Sequence, residues 1–315
     1  MPLHPQAQSL LDMMAASGAP PLYEQSVEEA RELPGMISEL VGPGPEVAEV
    51  RDLAIPGPAG DIGARAYEPT AAPPGTIVYY HGGGWVFGGL DDFDAICRTL
   101  AVESGCRVVS VDYRVAPEHR FPAAADDAYA ALVWVSENLA DSRPVVVAGD
   151  SAGGNLSAVV ALRARDAGGP GIALQALVYP VCDHDYTTGS YEQYADAGLL
   201  LGRQEMAWFW DHYAPDEADW SNPYACPLRA SSHAGLPPAY LVIAEYDPLR
   251  DEGLAYAAKL EAAGVPVTVR RYDDQLHAFF TLVNLMDSAN EAVAEAAEAI
   301  RKAVDPQQAG ASPAG

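Results

Sequence analysis

The chain has 315 residues, 49% hydrophobic and 20% charged, which is long for one domain but usual for large α/β units with a sizeable core. No apolar run approaches the ~20 residues of a membrane-spanning helix, and 18 basic against 44 acidic residues give a net charge of −26, a surface that repels nucleic acid and anionic membranes. That acidity fits either a solubility feature or an adaptation to salt, and it says nothing about a reaction. The first 25 residues carry no basic segment ahead of an apolar one, so no signal peptide is expected. Four cysteines (Cys97, Cys106, Cys182, Cys226) lack any C-x-x-C spacing. That argues against a metal cluster and for reduced thiols in a cytoplasmic protein.

Residues 1–45 read as helical and then loop-rich, with Leu10, Leu11, Met13 and Met14 marking a short amphipathic helix. Residues 49–69 predict two short strands joined by a Pro/Gly turn. A buried strand over Thr76 to Tyr80 runs into glycines. A helix follows over 93–105, a strand over 106–113 and a helix over 123–140. The strand 144–150 ends at a Gly-Asp-Ser-Ala-Gly turn that opens another helix. Further strands are expected over 173–182, 239–247 and 266–273, a helix over 252–264, and a closing helix over 290–304. Residues 306–315 read as a disordered tail. Strands alternating with helices predict a mostly parallel sheet covered on both faces. The rhythm breaks over 183–230, a Tyr- and Trp-rich stretch without a buried-strand pattern. It reads as a helical insertion that, with residues 1–45, caps the sheet. The catalytic α/β unit is then split into 46–182 and 231–305.

In open α/β sheets functional groups gather at the carboxyl ends of strands. Four loops there carry candidates: His81-Gly82-Gly83-Gly84, Gly149-Asp150-Ser151-Ala152-Gly153, Glu245-Tyr246-Asp247, and the loop with His277. Gly-x-Ser-x-Gly alone recurs by composition, but between strand and helix it is the setting of a nucleophile elbow. The His-Gly-Gly-Gly run is rarer. Its glycines would let backbone N–H groups face a developing oxyanion. Serine needs a base, and His277 alone lies beyond the acid and after the last strand. His4, His119, His184, His212 and His233 lie at the terminus, beside a proline or near the cap, and His81 is placed to anchor the glycine loop. Among the acids, Asp247 sits just past its strand. Asp251 and Glu252 suit a helix start, Glu245 lies too far back, and Asp273 and Asp274 share a short loop with the base.

The segments HGGGWVFGGLDD, DYRVAPEHRFPAAADD, GDSAGGNL and LPPAYLVIAEYDPLRDEGLAYAAKLEAAG, with the final histidine loop, resemble the bacterial hormone-sensitive-lipase-like carboxylesterases of the α/β-hydrolase fold. The resemblance spans about residues 45–300. It implies Ser151 as nucleophile, Asp247 as acid and His277 as base, an oxyanion hole from the amides of Gly83, Gly84 and Ala152, and Asp150 as a supporting residue. It also implies a helical cap, no cofactor, a small ester of short to medium acyl chain as substrate, and a homodimer. Trp85, Leu200, Trp208, Phe209, Trp210, Tyr213 and Phe279 are candidates for the pocket wall, with packing inside the cap as the other reading of the aromatics. The family commonly has glycine after its last histidine. Here Ala278 stands there, and its methyl disfavours a positive φ that could tilt the imidazole. An amidase or deacetylase with the same residues remains open, as does a non-catalytic receptor on this fold resembling the plant gibberellin receptors, in which the histidine is lost.

Overall fold

The computed structural model describes residues 1–305; the expected tail over 306–315 lies outside the described residues. Eight strands form one sheet: β1 (Glu49–Gly57), β2 (Gly60–Glu68), β3 (Thr76–Tyr80), β4 (Arg107–Asp112), β5 (Val145–Asp150), β6 (Leu174–Val178), β7 (Ala239–Tyr246) and β8 (Val267–Leu276). Their spatial order is β1-β2-β4-β3-β5-β6-β7-β8. The β1–β2 hairpin and the β2–β4 pair are antiparallel, and all pairs from β4 to β8 are parallel. The fold is thus an α/β hydrolase with a mostly parallel sheet, as expected.

The central strands are buried throughout, as parallel strands with helices on both faces must be. Alternation within β3 sorts the core. Val78 and Tyr80 face one cluster with α5 (Ala123–Asn138) and α6 (Ala152–Ala167). Ile77 and Tyr79 face another with α4 (Asp94–Ser104) and α10 (Asp287–Val304). The insertion over 183–230 is helical, with α7 (Gly189–Tyr194), α8 (Arg203–Tyr213) and two 3₁₀ turns. The N-terminal segment carries α1 (Pro5–Ser17), α2 (Val27–Ala30) and α3 (Leu33–Val41). Arg31, just after α2, ties this segment to the loops after β3 and β4: its guanidinium donates to Val86 O and Ala116 O at 3.0 Å and pairs with Glu118.

Some boundaries differ from the sequence expectation: β6, expected over 173–182, ends at Val178, and the closing helix, expected from 290, starts at Asp287. β8, expected to end at 273, continues to Leu276 past a register shift and pairs Leu276 with Tyr246, so Asp274 is a strand residue as well. β8 is an edge strand in which Asp273 is exposed and Asp274 half-buried, so acidic residues sit there at little cost.

Candidate functional site

Ser151 lies between β5 and α6 with φ 55° and ψ −116°, a backbone conformation sparsely populated by non-glycine residues. Its neighbours explain how the chain tolerates so sharp a turn. A Cβ on Gly149 would lie 2.4 Å from Tyr80 O, and one on Gly153 only 1.8 Å from the same oxygen. The turn is clamped by Ser151 N donating to Val178 O at 2.8 Å and Asn155 N donating to Ser151 O at 3.0 Å.

The imidazole of His277 bridges two side chains. Its Nε2 lies 2.9 Å from Ser151 Oγ, and its Nδ1 lies 2.7 Å from Asp247 Oδ2. With hydrogen on Nδ1, the ring donates to Asp247 and accepts from the Ser151 hydroxyl. Asp247 is fully buried, and its Oδ1 accepts from Leu249 N at 2.8 Å. The structure therefore brings together the serine, histidine and aspartate singled out in the sequence, from loops after β5, β7 and β8. Ala278 does adopt the left-handed conformation, φ 70°, and both imidazole contacts keep hydrogen-bond length despite its methyl.

The glycine loop after β3 takes positive φ at Gly83 (101°), Gly84 (57°) and Trp85 (62°). A Cβ on Gly83 would lie 2.2 Å from Phe87 O, so the tight turn needs glycine there. Gly82 N is engaged by Asp150 Oδ1 at 3.1 Å. By contrast, the amides of Gly83, Gly84 and Ala152 donate to no protein acceptor among the described residues. Ala152 also opens α6, where the helix dipole favours negative charge.

His81 and Asp150 hold this loop from beneath. His81 is fully buried, stacks on Tyr113 at 4.3 Å, and its Nδ1 meets Gly82 O at 2.7 Å. Burial pushes its pKa down to about 4, so it stays neutral and serves as an anchor. Asp150 Oδ1 also accepts from Tyr79 OH at 2.7 Å. Tyr79 and Tyr113 were not singled out in the sequence. The available signal was Tyr79-Tyr80 at the end of a buried strand, since a buried phenol seeks a hydrogen-bond partner.

Burial raises the Asp150 pKa to about 6, above its ordinary value near 4. A carboxyl whose folded pKa is raised contributes stability that is complete below its unfolded pKa and lost as pH rises through about 6. Asp150→Asn removes this titration. The melting temperature of the variant minus that of the parent should therefore become more positive from pH 4.5 to pH 7.5, at roughly 2–4 °C per kcal/mol. A difference that is flat across that range would refute the ionisation change.

The candidate pocket wall divides. Trp85, Tyr213 and Phe279 are corrected to packing residues. All three are fully buried; Trp85 stacks on Tyr213 at 4.2 Å and meets Trp210 at 5.0 Å, while Phe279 packs against Tyr179 and Tyr272. Trp210 is buried in the same cluster. Phe209 is different: its ring atoms lie 2.0–2.3 Å from where a Cβ on Gly84 would stand, so the ring rests directly on the glycine loop. Trp208 meets Phe209 edge-on at 5.4 Å and is half-buried, as is Leu200. Among the described residues no group of three or more His, Cys, Asp or Glu side chains is arranged to hold a metal, and no helix is long and apolar enough to cross a membrane.

A hydroxyl hydrogen-bonded to an oriented imidazole, beside unpaired amides, has the parts needed for acyl transfer. Comparison with known proteins agrees in kind. The family model described as alpha/beta hydrolase fold matches residues 77–281. Carboxylic ester hydrolase LipN of Mycobacterium tuberculosis is 45% identical over 272 residues, covering 82% of this chain and 72% of LipN. An ethyl acetate hydrolase of Pseudomonas putida is 34% identical over 319 residues, covering 96% of this chain and 99% of that protein. A solved ester hydrolase from the metagenome of Lake Arreo, complexed with a derivative of bipyridine phosphonate, superposes with a TM-score of 0.91 at 41% identity, over 95% of this chain and 98% of that one. With that sequence similarity carried on this sheet and this serine turn, the chain belongs to the hormone-sensitive-lipase-like carboxylesterases, serine hydrolases of the α/β-hydrolase fold.

Proposed function

We propose that this enzyme hydrolyses short- to medium-chain carboxylic esters through an acyl-enzyme on Ser151. The observation that carries the reading is the continuous hydrogen-bonded chain from Ser151 Oγ through His277 to Asp247. His277 Nε2 takes the Ser151 proton as Oγ attacks the ester carbonyl. The amides of Gly83, Gly84 and Ala152 receive the charge that builds on the carbonyl oxygen, each donor worth roughly 3–4 kcal/mol in comparable sites. Asp247 holds the Nδ1–H tautomer and stabilises the imidazolium. His277 then protonates the departing alcohol, and a water activated by the same imidazole hydrolyses the acyl-serine. A small ester is the expected partner, and the four cysteines, all free and buried, support a cytoplasmic setting.

The test is covalent labelling with a fluorophosphonate followed by peptide mapping; a derivative of bipyridine phosphonate was bound by the Lake Arreo relative. The adduct is expected on the peptide carrying Ser151, and an adduct confined to another residue would overturn the assignment.

The acyl-chain limit follows from Phe209. A ring seated on Gly84 narrows the space where a long acyl chain would leave the carbonyl. Across p-nitrophenyl esters of two to sixteen carbons, kcat/KM is expected to peak at about two to eight carbons, because each methylene that fits adds only ~1–3 kcal/mol before the wall is met. A maximum at the longest chain would reverse the size assignment.

A further inference from the structure

The loop that carries Asp247 is gripped by the cap from three directions. Asp247 lies between Tyr246, the last residue of β7, and α9 (Arg250–Ala262). In that turn Pro248 O accepts the hydroxyl of Ser190 at 2.6 Å, and the same Ser190 Oγ accepts Asp251 N at 3.2 Å. Asp251 returns the contact, its Oδ2 accepting Ser190 N at 2.7 Å. Ser190 sits in the first turn of the cap helix α7 and is fully buried. The other end of α7 is tied as well. Tyr194 OH donates to Glu245 Oε1 at 2.9 Å, and Arg250 donates to the same oxygen at 2.6 Å. The chain entering the insertion is held too, since the buried Glu252 accepts Cys182 N at 2.7 Å and Asp183 N at 3.4 Å. Glu245 and Asp251 flank Asp247 on both sides, so α7 spans the acid-bearing turn as a brace.

We propose that Ser190, through its reciprocal bonds with Pro248 and Asp251, is a positioning residue that sets Asp247 against His277 and so makes the base strong only when the cap helix is docked. This deepens the acyl-transfer reading and rests on it. Asp247 has one internal restraint on its carboxylate, the Leu249 amide. The direction of the turn is otherwise set by Pro248 and by the start of α9, the two places Ser190 touches. The Asp247–His277 contact of 2.7 Å is strongly geometry-dependent, so a small rotation of this turn weakens it.

The test is a double-mutant cycle with p-nitrophenyl acetate on the full chain: parent, Ser190→Ala, Asp247→Asn and the double variant. Ser190→Ala is expected to lower kcat about tenfold with KM within about twofold, the size of a coupling between residues sharing one network. In the Asp247→Asn background the same change should alter kcat by less than about twofold, because the group it positions is no longer a carboxylate. An equal loss in both backgrounds, a rise in KM alone, or no loss would overturn the brace. Tyr194→Phe removes only the outer tie. It is expected to lower kcat about threefold in the parent and not in Asp247→Asn. Should Ser190→Ala fail to fold, that second cycle decides, and full activity of Tyr194→Phe would overturn the proposal. Undiminished kcat for Asp247→Asn alone would overturn the acid assignment underneath it, a result distinct from failure of the brace.

Discussion

Ser151→Ala is expected to lower kcat/KM on p-nitrophenyl butyrate by at least about four orders of magnitude while leaving the fold intact. Loss of a serine nucleophile in a comparable hydrolase costs about 10⁶ in kcat, and what remains comes from the oxyanion donors and binding. Among the described residues no other hydroxyl is hydrogen-bonded to His277, whose Nε2 contacts Ser151 Oγ and whose Nδ1 is taken by Asp247. Stability should barely respond. The clamps on this turn run through the backbone of residue 151, to Val178 and Asn155, and survive the change. Alanine has the same Cβ as serine, so the positive φ is no more strained than before. The melting temperature is expected to stay within about 3 °C of the parent, the scale of a change below ~1 kcal/mol. Activity above a few percent of the parent, in a preparation free of other esterases, would end the nucleophile assignment. A large drop in melting temperature would show instead that the hydroxyl is structural.

What the sequence disclosed about this molecule follows from which physical signals are local. The parallel sheet was legible because its buried strands are continuous apolar runs bounded by glycine, and the elbow and glycine loop because close backbone approach demands glycine. A Cβ at Gly149, Gly153 or Gly83 would stand inside 2.5 Å of a carbonyl oxygen. His277 and Asp247 were legible from chain order and strand ends alone. Side-chain direction was not. Trp85 follows the glycine loop, but with its positive φ the indole lies in the aromatic cluster, stacked on Tyr213 and tilted against Trp210. Tyr213 and Phe279 were placed on a pocket wall because aromatic residues line such walls as often as they fill cores. The end of β8 was missed because an edge strand tolerates an acidic residue such as Asp274, which read as loop. The Ser190 brace joins residues 58 and 61 positions apart and has no pattern of its own in the chain.

Gly153→Ala is expected to be among the most damaging single-methyl changes at the described glycines. Gly153 lies in the first turn of α6 with ordinary helical backbone, so alanine there should help by propensity, by about 1 kcal/mol. The packing reverses that sign. The added Cβ would lie 1.8 Å from Tyr80 O, 2.5 Å from Tyr80 C and 2.7 Å from His81 O. All three are backbone atoms with no rotamer to yield. Either α6 moves away from the end of β3 or the Tyr80–His81 peptide shifts, and that peptide leads into the glycine loop. The cost should exceed about 4 kcal/mol, in the range of severe core overpacking. At roughly 2–4 °C per kcal/mol the melting temperature should fall by about 10 °C or more. The fraction that folds should also lose most of its activity, because Ser151 and the Gly83 and Gly84 amides are displaced relative to each other. Gly168→Ala is the control. Gly168 has φ +77° and nothing within 4 Å of the added methyl, so only backbone strain of about 1–2 kcal/mol is expected, a few degrees, with kcat unchanged. Scanning calorimetry and p-nitrophenyl butyrate turnover on the two variants separate steric collision from conformational strain. If Gly153→Ala melts no lower than Gly168→Ala and keeps its activity, close contact between α6 and the end of β3 is not what holds the serine turn in place.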